Sequence, residues 1–218
     1  MNFLSHYFFD SKPNNPLFNY GLIFPDIVRN FVRGTKLNLN ITMAELPENE
    51  QQLLNGCIKH VNSDKIFHAW TGFHEMMDLV TDHIRGQHVA FKRDWFIAHI
   101  LSELAMDHFL LRDHKNLATQ LYTDFEMVDS AVVHSFLARQ NFNSFEQFNL
   151  GFDRFMEVKY LQKYDNPENV VFALGKICTK MGIDPLDEHQ KNVIMDILVE
   201  LGKEMPERIE KLQRELHV

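Results

Sequence analysis

Nine glycines and seven prolines in 218 residues leave little material for the many tight turns of an all-β chain. There are only two cysteines, Cys57 and Cys178. They lie far apart, so neither a disulfide framework nor a CxxC metal or redox site is available. No stretch approaches the ~20 consecutive apolar residues that a membrane-spanning helix needs. The opening segment lacks a basic stretch and its apolar run is interrupted by Asp10, which predicts no signal peptide and a cytoplasmic protein. Positive charge is also short: 22 Lys and Arg stand against 30 Asp and Glu, a net charge of −8. Nucleic-acid binding needs clustered cations and is excluded on that ground.

What the chain does have is helix material. Hydrophobic residues make up 45% and charged residues 24%, ordinary values for a folded globular chain. The 19 Phe and 10 Met suit helix-packed interiors. Apolar residues recur at helical spacing over 48–70, then to residue 84 before Arg85-Gly86, and over 89–112, 117–138, 144–164, 167–181 and from 185 onward. Residues 11–16, rich in Pro and Asn, and residues 34–40 read as loops. Pro47, Gly182 and the Asn166-Pro167 pair supply start and stop signals. Strict apolar–polar alternation is nowhere sustained. With no repeat, low-complexity tract or long linker, the expectation is an all-α chain, a compact helical bundle forming a single domain over residues 1–218.

Two polar stripes interrupt the apolar faces. His60, Asp64 and His68 each advance about 6 Å and rotate about 40° from one to the next on a helix. Leu53, Leu54, Cys57 and Val61 fall within or beside their sector, while Lys59, Asn62 and Ser63 fall on the outward side. The polar stripe therefore lies on the face that the helix buries. On the later helix His99, Glu103 and Asp107 form a second stripe, sharing its sector with Phe96, Ile100, Leu110 and Leu111. His108 sits on an adjoining apolar flank between Ile97 and Leu101.

Energetics limits what such stripes can be. A buried, unpaired carboxylate costs several kcal/mol, against a total stability of ~5–15 kcal/mol. Inward-facing acids require a cation nearby, and Lys and Arg are sparse in both stripes, which leaves protonated histidine or a divalent ion. Mixed imidazole and carboxylate ligands suit Mn, Fe or Zn, and facing helices with ligands at i,i+4 are an established way to build such a site. The plainer reading is that a single histidine on an apolar face is a satisfied core residue. His74, Asp78 and Asp82 repeat the same spacing on what reads as a solvated edge, and His83, His88, His114, His134, His189 and His217 read as surface or structural. The first two stripes differ from these in lying on core faces.

The segments MNFLSH (1–6), GLIFPD (21–26), HVNSD (60–64) and MDHFL (106–110) follow one another in an order and spacing that resembles the acyl carrier protein phosphodiesterase family. That family is in turn similar to the His-Asp superfamily of helical metal-dependent phosphohydrolases. The resemblance spans roughly the first half of the chain. It implies the His-Asp phosphohydrolase fold, removal of phosphopantetheine from acyl carrier protein, a preference for manganese, and a site built from His6, Asp26, His60, Asp64, Asp107 and His108. The chain departs from the family pattern at His68 and Glu103, each standing where the family has Asp, and at Pro25, where it has Gly. Imidazole and carboxylate both bind metals, so His68, His99 and Glu103 join the candidate ligands as positions where geometry or metal preference differs.

The resulting expectation is a metal-dependent phosphodiester hydrolase. Its divalent ion, Mn first with Fe or Zn as alternatives, would be held by His6, Asp26, His60, Asp64 and Asp107, and Asp107 and His108 would be the catalytic pair that orients water or takes its proton. Two alternatives are a helical relative that kept the fold without the activity, and a hydrolase of the same superfamily acting on a small phosphorylated substrate. Acyl carrier protein as partner is acidic, so docking on a chain of net charge −8 would fall to local basic groups: Arg29, Arg33 and Lys36, or Lys92 and Arg93.

Overall fold

The computed structural model describes residues 1–88 and 90–217, and among them all regular structure is helical. The helices are α1 (Phe3–Asp10), α2 (Pro16–Gly21), α3 (Phe24–Phe31), α4 (Glu48–Ala69), α5 (Thr71–Gly86), α6 (Asp94–Asp113), α7 (Leu117–Glu126), α8 (Ser130–Ala138), α9 (Phe145–Val158), α10 (Pro167–Lys180) and α11 (Glu188–Leu216). Short 3-10 turns occur at Met43–Glu45 and Tyr160–Lys163. No helix among the described residues is long and apolar enough to cross a membrane.

Local chemistry sets most boundaries. Asn15 and Asn166 each cap a helix that opens on proline, accepting from Phe18 N and Glu168 N. Asp187 and Gln190 form a reciprocal capping box at the start of α11. The stretch expected as one helix over 117–138 is two helices. Asp129 adopts an extended backbone (φ −67°, ψ 118°) and its side chain accepts from Ala131 N, starting α8 afresh. The helix expected over 144–164 ends at Val158, because Lys159 turns into the left-handed region at φ 47°. The helix expected from residue 89 begins at Asp94, after Arg93 at φ 67°; Val89 itself lies outside the described residues.

The chain forms two compact units, one of Met1–Ser5, Lys65–Lys115 and Gln162–Val218, the other of His6–Asp64 and Asn116–Leu161. In the first unit α5 packs on α6, and α10 and α11 pack against them. Phe73, Met76 and Val80 of α5 and Ile97, Leu101 and Leu104 of α6 are buried there with Leu174 of α10 and Ile197 and Leu201 of α11. Gly202 lets α11 approach α6, since a Cβ there would lie 2.7 Å from the Phe109 ring. Arg208 of α11, only 8% exposed, donates to the Gly72 carbonyl and is paired with Glu75 and Glu204.

In the second unit α2 packs on α7 and α3 on α9 around an aromatic core. Tyr20 meets Phe24, Phe125 and Phe152, and Phe24 meets Phe136 and Phe148. Asp124 of α7 accepts from the Tyr7 hydroxyl at 2.7 Å and from Asn19 Nδ2 at 2.6 Å, tying α1 and α2 to it. The tightest approach is that of α2 to α4. A Cβ at Gly56 would overlap the Phe18 carbonyl oxygen and lie 2.7 Å from Gly21 Cα, and a Cβ at Gly21 would overlap the Leu53 carbonyl. Backbone meets backbone there, with no room for a side chain on either helix at the crossing.

The side chain of Gly56→Ala would meet backbone, which cannot swing away. This substitution is expected to lower unfolding stability by about 1–3 kcal/mol or more in urea titrations. Gly86→Ala, where nothing lies within 4 Å of the added Cβ, is expected to be neutral or stabilising by up to about 1 kcal/mol. Equal effects at the two positions would show that the α2–α4 approach is not this close in solution.

Candidate metal centre

The α2–α4 approach has a direct consequence for His60. The chain leaving α2 presents the Leu22 carbonyl oxygen 2.7 Å from His60 Nδ1. A carbonyl can only accept, so Nδ1 carries the proton and donates it, and Nε2 is left with its lone pair. A carbonyl that holds the remote N–H of an imidazole is the usual support of a metal-ligating histidine.

Two further side chains converge on that lone pair. His6 of α1, Asp26 in the first turn of α3 and His60 of α4 bring one ligand atom each within 4.8 Å of one another. His60 Nε2 lies 3.9 Å from Asp26 Oδ1, a gap that an ion with bonds of about 2.0–2.2 Å can span. The His6 ring stacks on that of His60 with centroids 4.0 Å apart. His6 is fully buried, and neither ring nitrogen has a hydrogen-bond partner among the described residues. Its Nε2 does lie 3.3 Å from Asp64 Oδ1, close enough for attraction but off the line of a hydrogen bond.

Electrostatics prepares the same groups for a cation. Burial, aided by the neighbouring His60, lowers the His6 pKa to about 3 against the pull of Asp64, so the ring is neutral at pH 7 with a lone pair to give. Burial pushes Asp64 up, but the contact with His6 together with nearby positive charge outweighs it and holds the carboxyl below the usual carboxylate range. A buried imidazole without a partner costs on the order of 1–3 kcal/mol, and a cation among these groups would remove that cost. The donor set fits a divalent transition ion.

A second group lies in the other unit. His68, at the end of α4, and His99 and Glu103 of α6 also bring their ligand atoms within 4.8 Å of one another. His68 Nε2 is 3.0 Å and His99 Nε2 3.2 Å from the same oxygen, Glu103 Oε1, and the Met1 nitrogen is 3.4 Å from it. Burial pushes Glu103 up, but the Met1 nitrogen and the two imidazoles outweigh it and keep the carboxyl ionised.

Asp107 and His108 belong to neither group. Asp107 is fully buried, and its carboxylate accepts from Leu4 N at 3.0 Å, Ser5 N at 2.8 Å and the Ser5 hydroxyl at 2.6 Å. Its compensation comes from amides at the start of α1, a partner that helix spacing does not disclose. His108 donates from Nδ1 to the Tyr164 carbonyl at 2.6 Å, and burial lowers its pKa. Ser63, expected to face outward, is fully buried, its hydroxyl without a partner among the described residues. Lys59 is only partly exposed and pairs with the buried Asp10 at 3.1 Å. The exposed edge of His74, Asp78 and Asp82 is solvated as expected. The supporting groups Leu22 and Ser5 act through backbone or through contacts between distant segments, and no residue-type signal marks them.

Both groups have the composition of two-histidine-one-carboxylate centres. No protein-family model matches the chain, and no curated protein or solved structure matches it.

Burial raises Asp107 to about 7 against its three hydrogen bonds. The folded chain then holds this proton more tightly than the unfolded chain, whose carboxyl titrates near ~4. The stability so contributed is complete below about pH 4 and is lost as pH rises toward 7. Asn at this position does not titrate. The stability of the wild type relative to Asp107→Asn is therefore expected to fall between pH 4 and 7, by up to about 1.4 kcal/mol per pH unit, and to level off above. A difference that stays flat across this range would show a carboxyl ionised throughout.

Proposed function

We propose that this chain is a metal-dependent phosphodiester hydrolase, with its ion held by His6, His60 and Asp26 and with Asp64 beside them. The reaction proposed is that of the acyl carrier protein phosphodiesterases, release of phosphopantetheine from holo-acyl carrier protein, on a helical scaffold of the His-Asp phosphohydrolase kind. The observation that carries this reading is His6: a buried imidazole, both nitrogens without a hydrogen-bond partner among the described residues, stacked on a histidine whose tautomer Leu22 selects. The four sequence segments that resemble the phosphodiesterase family support the choice of substrate.

A divalent ion at this site, manganese first with iron or zinc as alternatives, would polarise a phosphoryl oxygen and acidify a water. His6 and His60 contribute neutral lone pairs, and Asp26 contributes negative charge. Asp64 is ionised, with 32% of its side chain exposed, and can accept the proton of an attacking water. With Nδ1–H held by the Tyr164 carbonyl, a neutral His108 carries its lone pair on Nε2, the tautomer of a base. Asp107 favours the second reading, a non-catalytic helical protein, at its own position: both its carboxyl oxygens are already held by protein donors. It steadies Leu4 and Ser5, the residues that precede His6.

Purified protein is expected to hold at least one equivalent of Mn, Fe or Zn by elemental analysis and to release phosphopantetheine from holo-carrier protein in a mass-spectrometric assay. His60→Ala should reduce that release by more than about 100-fold. Protein that is metal-free and gains no thermal stability from added Mn, Fe or Zn would end this reading. Activity on a generic phosphodiester but not on holo-carrier protein would keep the chemistry and replace the substrate.

Arg29, Arg33 and Lys36 are exposed and form the basic group proposed to meet an acidic carrier. Charge reversal at Arg29 and Arg33 is expected to raise KM for holo-carrier protein about 10-fold while leaving a small phosphodiester untouched. Equal effects on both substrates would remove the docking role.

A further inference from the structure

Glu103 Oε1 stands 3.0 Å from His68 Nε2 and 3.2 Å from His99 Nε2, so two imidazoles from two helices address one carboxylate oxygen with the same ring nitrogen. Their rings are stacked, with centroids 5.0 Å apart and 27° between planes. Phe73 of α5 meets both rings edge-on at 5.2 Å, and Phe67 meets His68 at 5.4 Å. Aromatic side chains thus pack against both imidazoles. The side chains of His68, His99 and Glu103 are 35%, 29% and 15% exposed, so the group is open to solvent on one side.

We propose that His68, His99 and Glu103 form a second cation-binding centre, a two-histidine-one-carboxylate site that takes Zn2+, Co2+ or Fe2+ in preference to Mg2+. It goes beyond the proposed phosphodiesterase centre and does not rest on it, since none of its ligands is shared. The spacing suits such an ion: tetrahedral bonds of about 2.0–2.1 Å place ligand atoms about 3.3–3.4 Å apart. The observed 3.0 and 3.2 Å require movements of only a few tenths of an ångström. On binding, each Nε2 proton now directed at Glu103 would move to Nδ1 of a neutral ring, or to solvent from an imidazolium, and the freed Nε2 lone pairs would bind the ion together with the carboxylate. Solvent on the open side supplies the remaining positions. Nitrogen-rich donors explain the preference against Mg2+, which takes oxygen ligands and keeps its waters. The Met1 nitrogen, 3.4 Å from Glu103 Oε1, is a cationic group facing the site and opposes a further positive charge.

The test is a titration of the chelator-stripped full chain with Co2+, followed by visible ligand-field absorption and by competition with Zn2+ and Mg2+. His60→Ala serves as the background, so that signal from the phosphodiesterase centre is suppressed. One equivalent of Co2+ is expected to bind, displaced by Zn2+ but not by Mg2+ at equal concentration. Adding His99→Ala should weaken its binding at least 10-fold with helical circular dichroism intact. His68→Gln, at a partly exposed position, is the second variant should His99→Ala fail to fold, and it should weaken binding alike. Failure of the His60→Ala protein to bind Co2+, binding unchanged by both further substitutions, or displacement by Mg2+ as readily as by Zn2+, would each overturn the proposal.

Discussion

The hydrogen bond from His60 Nδ1 to the Leu22 carbonyl is the contact on which the candidate centre depends. It exists because α2 and α4 meet backbone to backbone at Gly21 and Gly56. Any side chain at that crossing would push the two helices apart and withdraw the carbonyl. Once the bond is made, the tautomer of His60 follows, and its Nε2 lone pair faces Asp26 and lies beside the stacked ring of His6. A steric fact about two glycines is thereby converted into an electronic fact about one imidazole.

Buried acids in this chain are compensated in different ways, and each way has a different chemical meaning. Asp107 is met by backbone amides and a hydroxyl, which occupy both its oxygens. Asp10 is met by a lysine, an arrangement of pure charge pairing. Glu103 is met by two imidazoles and the Met1 nitrogen, and an imidazole is among the groups that meet Asp64. The imidazole-compensated acids sit among groups that can exchange a proton for a metal ion. The manner of compensation, more than the depth of burial, separates a site from a scaffold.

The helical character of the chain was legible in its composition and periodicity, and the helix boundaries near Pro47, Asn166-Pro167 and Gly182 could be read from those residues. The breaks at 127–129 and at Lys159 were not legible. Asp129 and Lys159 adopt backbone conformations that an uninterrupted helical pattern does not announce. The stripe of His60, Asp64 and His68 could be drawn on α4, as could that of His99, Glu103 and Asp107 on α6. Their division into different groups could not, because side chains that share a stripe can meet different neighbours. Ser63 shows the same limit from the other side: the outward sector drawn from periodicity is buried by elements remote in sequence.

Residue types and their spacing thus determined the all-helical class and the supply of imidazoles and carboxylates on two helices, because helical periodicity is a local property of the chain. Which of those groups became neighbours was decided by tertiary structure alone. His6 and Asp26 reach His60 across 54 and 34 residues of chain, and the Leu22 carbonyl that selects its tautomer carries no side-chain signature. Convergence of this kind depends on how helices pack, and packing is a relation between distant segments that spacing within any one of them does not contain.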